Sequence, residues 1–223
     1  MASRQNMSFD NGHGYLAMPP SGRGPGLIVI QEWWGLDDHI ADVTDRFAAE
    51  GFVALAPDLY GGRVVHETSD AARLARELPV GEAVDLLSSA VDHLLAMDEV
   101  TGDRVGAVGF CMGGAFVLTL AARAGEKIAA AVPFYGGAGE SPDFSNLKAQ
   151  IMGHYGEKDQ SVPVDALPDL KAAIERDSGI TPTFHVYPAG HAFFNDQRPS
   201  YHEESARLAW NRTLEFLRAN LAG

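Results

Sequence analysis

The sequence predicts an α/β fold, a mostly parallel sheet with helices on both faces. Three observations carry this. Apolar runs of strand length alternate with stretches of helical periodicity along the whole chain, the pattern of a parallel sheet built with crossover helices. The run Leu27-Ile28-Val29-Ile30 is continuously apolar, as a strand buried on both faces should be. Finally, Arg104 to Val108 leads into Gly109-Phe110-Cys111-Met112-Gly113-Gly114 and then into the apolar stretch Ala115 to Ala122, a strand, a tight turn and a helix in succession.

Taken in order, Met7 to Met18 reads as an edge hairpin, with Asn11-Gly12 as a type I′ turn signal. Pro19 to Gly26 is a loop by composition. After the strand Leu27–Ile30, Asp37-Asp38 can cap a helix carrying Ile40, Val43 and Phe47, and Gly51 stops it. Phe52 to Ala56 is the next strand. Helices follow over about Ser69–Leu78 and Val80–Met97, the second with Val84, Leu87, Val91 and Leu94 on one face. Arg104–Phe110 is a strand and the helix after it runs to about Ala124. Strands are expected at Ile128–Tyr135, Gln150–Tyr155 and Thr183–Tyr187, with helices at Asp165–Asp177 and His202–Asn220. No repeat, linker or composition shift divides the chain, so residues 1–223 read as a single domain.

The totals narrow the function. A net charge of −13, from 30 acidic and 17 basic residues, argues against a nucleic-acid partner, which needs a basic surface. One cysteine excludes an internal disulfide and a Cys-rich zinc site, and it fits a reducing compartment. The first residues lack the apolar core of a signal peptide, and no apolar run reaches membrane-spanning length. The expectation is a soluble cytoplasmic protein, without metal or organic cofactor and of open oligomeric state.

Chemistry concentrates at the glycine-rich turn. G-x-C-x-G between strand and helix matches the nucleophile elbow of the α/β-hydrolase fold, with Cys in place of Ser. A lone Cys is ordinarily a small buried hydrophobe. Here the flanking glycines and the helix N-terminus favour a reactive thiol instead. Functional residues of open parallel sheets collect at the carboxyl ends of strands. Four such ends carry Glu32, Cys111, Asp159 and His191. Nucleophile, acid, then His is the α/β-hydrolase order. Cys111 would attack an acyl carbonyl, His191 would move the proton, and Asp159 would orient the imidazole. Asp159 also suits an Asx turn after Gly156-Glu157-Lys158. Of the other histidines, His13, His39, His66, His93 and His202 read as solvated, His185 as facing out of a strand, and His154 as core.

Gln31-Glu32-Trp33-Trp34-Gly35, Ala56-Pro57-Asp58-Leu59-Tyr60, the Cys111 elbow and Gly190-His191-Ala192-Phe193 together resemble the dienelactone hydrolase family, in the family's order and across nearly the whole chain. The resemblance implies a Cys111-His191-Asp159 triad and a Glu32 that takes the thiol proton when substrate binds. It further implies an oxyanion hole from the backbone N–H groups of Trp33 and Met112. The implied substrate is a small ester or lactone. A carboxylesterase or thioesterase of wider range, and a catalytically silent ligand-binding protein, remain as alternatives. Trp34, Phe193, Asn195 and Arg198 are candidate substrate contacts. The enzymes that open dienelactone hold its carboxylate with arginines, one of them shortly after the catalytic His. This chain has Asn195 there and Arg198 further on, so neutral substrates are expected unless Arg198, Arg63, Arg73 or Arg76 supplies the charge.

Overall fold

The chain builds β1 (Met7–Phe9), β2 (Gly12–Ala17), β3 (Gly24–Ile30), α1 (Asp38–Ala49), β4 (Val53–Pro57), α2 (Thr68–Glu77), α3 (Val80–Ala96) and β5 (Val100–Phe110). After these come α4 (Met112–Ala124), β6 (Ile128–Phe134), β7 (Gln150–Gly156), α5 (Leu167–Ser178), β8 (Thr183–Tyr187) and α6 (Glu203–Leu221). This is a computed structural model, which describes residues 4–137 and 141–222. Residues 1–3, 138–140 and 223 of the 1–223 domain reading lie outside the described residues.

All eight strands join one sheet in the order β1-β2-β4-β3-β5-β6-β7-β8. The six strands from β4 to β8 in that order run parallel, and β2 and β1 add an antiparallel edge. The continuous apolar runs lie in the middle of the sheet. Leu27, Ile28, Val29 and Ile30 have no accessible surface. Ile28 and Ile30 face a core shared with α2, α3, α4 and α5. Leu27 and Val29 face the opposite core, under α1 and α6. That alternation places helices on both faces and leaves the carboxyl ends of β3, β5, β6, β7 and β8 side by side.

Local chemistry sets the element ends. Asp37 caps α1, its side chain accepting from the N–H of Ile40 at 3.0 Å. Gly179 closes α5 in the left-handed conformation. Two local expectations shift. The hairpin turn is Asp10-Asn11, and Gly12 already pairs with Phe9 in β2. Of these residues only Asn11 has positive φ, whereas a type I′ turn needs two such residues. The strand β3 begins at Gly24, inside the stretch assigned to loop, because β5 starts early enough to pair Gly24 with Val100. A side chain could not stand at Gly24, since a Cβ there would lie 2.0 Å from the carbonyl oxygen of Gly51.

Candidate active site

Each candidate residue follows a different strand of the parallel sheet. Glu32 lies beyond β3, Cys111 beyond β5, Asp159 beyond β7 and His191 beyond β8. The turn at Cys111 explains its glycines. A Cβ at Gly109 would lie 2.2 Å from the Gly113 carbonyl oxygen, and one at Gly113 would lie 2.4 Å from that of Ile30. Cys111 itself holds φ 54°, a left-handed backbone costly for a residue with a side chain. Its N–H donates to the Phe134 carbonyl at 3.0 Å, pinning the turn to β6. The thiol is thereby presented at the N-terminus of α4.

His191 bridges two neighbours. Its Nε2 lies 3.2 Å from Cys111 Sγ and its Nδ1 lies 2.8 Å from Asp159 Oδ2. The other Asp159 oxygen, Oδ1, accepts from the N–H groups of Ser161 and Val162 at 2.8 and 2.9 Å. Asp159 is therefore both the Asx-turn residue and the partner of His191. Main-chain bonds tie the two loops together, from Glu157 N–H to the Tyr187 carbonyl at 2.7 Å and from Lys158 N–H to the Ala189 carbonyl at 2.9 Å.

Electrostatics follow from burial and partners. Burial alone would raise Asp159, but the hydrogen bonds from His191, Val162 and Ser161 outweigh it and hold the carboxyl below its ordinary range. Burial lowers His191, yet its bonds to Asp159 and Cys111, with their charges, push it up to about 10. The imidazole thus favours its protonated form beside the sulfur. Glu32, 2% exposed, is raised chiefly by burial; His39 and the hydrogen bonds from Asn195 and Tyr135 act against that rise. Its Oε1 accepts from the Tyr135 hydroxyl at 3.2 Å and its Oε2 from Asn195 Nδ2 at 2.8 Å. Glu32 and Cys111 are not hydrogen-bonded to each other among the described residues.

A cavity of about 610 Å³ opens onto these groups. Glu32, Trp33, Cys111, Met112, Tyr135 and His191 line it, as do Trp34 and Arg198. The Arg198 guanidinium carbon lies over the Trp34 indole, 3.8 Å from its centroid. Met112 is the first residue of α4, where leading N–H groups have no acceptor within the helix. A larger depression, about 970 Å³, lies beside the β1–β2 hairpin and α3 and contains none of the strand-end residues.

Some candidates land elsewhere. Phe193, expected at the substrate, is fully buried against Phe134, Tyr135 and Tyr187. The chain doubles back after His191 through Ala192 at φ 58°, and the His202 N–H then binds the Phe193 carbonyl at 3.0 Å. That reversal turns Phe193 inward. Asn195, 1% exposed, is turned onto Glu32 rather than into the 610 Å³ cavity. Arg63 donates to the Tyr60 carbonyl, and Arg73 and Arg76 bond within α2, so none of the three lines that cavity. His39 is not solvated: it is 1% exposed, with Nδ1 3.3 Å from Asp196 Oδ1. His154 is core as expected, bonded to the Tyr187 hydroxyl and to Thr213 Oγ1. Tyr135 was not among the candidates, although it stands at the carboxyl end of β6 before Gly136-Gly137, where the strand-end rule points. It lines the cavity, bonds Glu32, and meets the His191 ring edge-on at 5.2 Å.

A cysteine elbow beyond β5, an acid beyond β7 and a histidine beyond β8 of this sheet define an α/β-hydrolase. The family model of the dienelactone hydrolase family matches residues 13–221. The chain belongs to that family, and it is a hydrolase acting on carboxylic esters or lactones. It is 36% identical over 217 residues to "Protein usf" of Aquifex pyrophilus, covering 93% of each chain. A protein of Methylorubrum extorquens provisionally named carboxymethylenebutenolidase is 34% identical over 221 residues, covering 92% of this chain and 75% of that protein. Among solved structures, a Klebsiella pneumoniae protein provisionally named a dienelactone hydrolase superposes with a TM-score of 0.83 at 35% identity, over 92% of each chain. No helix among the described residues is long and apolar enough to cross a membrane.

Proposed function

We propose that the chain cleaves a small ester or lactone through a covalent thioester on Cys111. The observation that carries this reading is the unbroken hydrogen-bond chain from Sγ through His191 to Asp159, opening on the 610 Å³ cavity. Cavities of this size hold small organic molecules.

The thiolate of Cys111, stabilised by protonated His191 and the α4 N-terminus, attacks the carbonyl carbon. The oxygen that becomes negative is received by the N–H groups of Trp33 and Met112. Collapse breaks the C–O bond, and His191 returns its proton to the departing alkoxide. Water then attacks the thioester with neutral His191 as base. The acid leaves and the thiolate–imidazolium pair is restored. Asp159 keeps Nδ1 protonated throughout, so that Nε2 faces the sulfur. Following the family, Glu32 takes the thiol proton of resting Cys111 when substrate binds, which forms the attacking thiolate, and gives that proton back to the sulfur once the acid has left. The cycle needs no metal or organic cofactor. A single thiol that must stay reduced suits the cytoplasm.

A short-chain p-nitrophenyl ester, assayed with and without iodoacetamide, tests the reading. Hydrolysis should stop on alkylation, and mass spectrometry of quenched enzyme should find the acyl group on Cys111. Full activity after complete alkylation of Cys111 rules the mechanism out. Absence of hydrolysis with any ester or lactone would instead favour a silent binding protein, and rapid turnover of long acyl thioesters a wider thioesterase.

A further inference from the structure

Glu32 is a buried acid whose environment the triad chemistry does not explain. Both of its carboxyl oxygens receive hydrogen bonds, Oε1 from Tyr135 and Oε2 from Asn195. The Asn195 amide has no choice of orientation. Its Oδ1 accepts from the Gln197 N–H at 3.0 Å, which leaves Nδ2 to face Glu32. The loop carrying it is tied on both sides, through Asn195 N–H to the Ala192 carbonyl and Arg198 N–H to the Asn195 carbonyl, each at 3.1 Å. Asn195 is 1% exposed, so water does not substitute for it.

An NH₂ group donates and cannot accept. A proton arriving on Glu32 therefore cannot sit between Oε2 and Asn195. It must sit on Oε1, where the Tyr135 hydroxyl can rotate and accept. Tyr135 is itself held in an unusual backbone, φ 38°, and its N–H is bonded to the His154 carbonyl at 2.8 Å. The rotor is thus fixed in place between Glu32 and the His191 ring.

Resting on the function proposed above, we propose that Asn195 is a positioning residue. Its amide, set by Gln197, clamps Glu32 from the donor side, favours the ionised carboxylate, and confines any proton it takes to the oxygen facing Tyr135.

Other charged and titratable groups surround Glu32, with Cys111 and His191 across the same cavity. His39 on α1 and Asp37 at its cap act on it, the first lowering and the second raising its proton affinity. Tyr135 comes from the end of β6. Its hydroxyl is itself held far above the ordinary tyrosine range by burial, then by Glu32 and Cys111. His39 in turn lies against Asp196, the residue after Asn195. The segment 195–196 therefore contacts both Glu32 and the histidine whose charge acts on it.

The test is a titration of the Glu32 carboxyl by ¹³C NMR, with its resonance assigned by its absence in Glu32→Gln. Alongside it, kcat/KM for a p-nitrophenyl ester is measured across pH. Asn195→Leu removes the donor with little change in volume. A hydrogen bond to a charged group corresponds to about one to two pH units. The Glu32 midpoint should rise by that amount, and the acid limb of kcat/KM should move up with it. Asn195→Asp keeps the shape, and so serves if the leucine variant does not fold. It should turn the single midpoint into two coupled steps, since two facing carboxyls share one proton. A Glu32 midpoint that does not move in either variant overturns the proposal. So does a midpoint that moves while the pH profile of kcat/KM stays as in the wild type. Failure of the covalent reading has a separate signature, an active Cys111→Ala enzyme, which no Asn195 result imitates.

Discussion

Replacing Asp159 by Asn tests the proposed proton relay at a point where the structure dictates the outcome. The side chain is fully buried, and its two oxygens have separate tasks. Asn can keep Oδ1 on the Ser161 and Val162 N–H groups, so the loop holds its shape. That orientation turns an NH₂ group toward His191 Nδ1, 2.8 Å away in the wild type. Nδ1 must then accept, the ring proton moves to Nε2, and Nε2 can no longer take a proton from the water that attacks the thioester. Two losses combine. A hydrogen bond between charged partners is worth about 1.5–3 kcal/mol, or roughly 10- to 200-fold in rate. The wrong tautomer adds to this, and in a serine triad the same exchange lowers kcat by about 10⁴. His191 should also fall from about 10 toward its ordinary 6.5. The assay is kcat with p-nitrophenyl acetate, the iodoacetamide reactivity of Cys111 against pH, and a melting curve to confirm folding. Glu157→Gln is the control, because Glu157 is exposed and binds the neighbouring loop through its main chain. An Asp159→Asn enzyme within about threefold of wild type, or a Glu157→Gln enzyme that is the crippled one, refutes the reasoning.

Other expectations follow from the same geometry. Cys111→Ala should abolish turnover with an unchanged melting temperature, and Cys111→Ser should retain little activity, since His191 and Glu32 are arranged around a thiol; steady-state kinetics and calorimetry check both. Arg198 is the arginine among the described residues that line the cavity, so Arg198→Ala should lower kcat/KM for a carboxylate-bearing lactone about tenfold more than for its methyl ester, an effect that weakens with salt. Equal losses for the two substrates would remove Arg198 from charge recognition. His154 is fully buried and held well below 6.5 by burial, then by the charges of His185 and Arg212. Its folded value is depressed, so the unfolded chain binds the extra proton. Stability from this group is complete above about pH 6.5 and is lost as pH falls, by about 1.4 kcal/mol per unit. Urea midpoints between pH 7.5 and 5 should drop more steeply in the wild type than in His154→Gln, and parallel slopes would count against it.

The strand-end residues were legible because the constraints on them are local. A thiol lifted from a βα turn requires Gly109 and Gly113, and both are written beside it. The alternation of runs likewise conveyed the parallel sheet. Where contacts between distant segments decide, the sequence was less readable. Gly24 and Pro25 carry loop composition, yet pairing with β5 draws them into a strand. Asn195 and Glu32 lie 163 residues apart, and nothing near either announces their bond. His39 is a different case. It stands four residues before Val43 and eight before Phe47, on the apolar stripe of α1, so the periodicity placed it inside while its residue type suggested water.

The two bonds joining the β7 and β8 loops have a consequence for how this protein can change. Glu157 and Lys158 make them through the peptide backbone, so the spacing of Asp159 and His191 does not depend on which side chains occupy positions 157 and 158. Drift at those positions leaves the proton relay in register. The cavity walls at Trp34, Val162, Arg198 and Ser200 are made of side chains, which single substitutions rewrite. Laboratory selection for a new acyl group should therefore accumulate its changes on those walls and leave the relay as it stands.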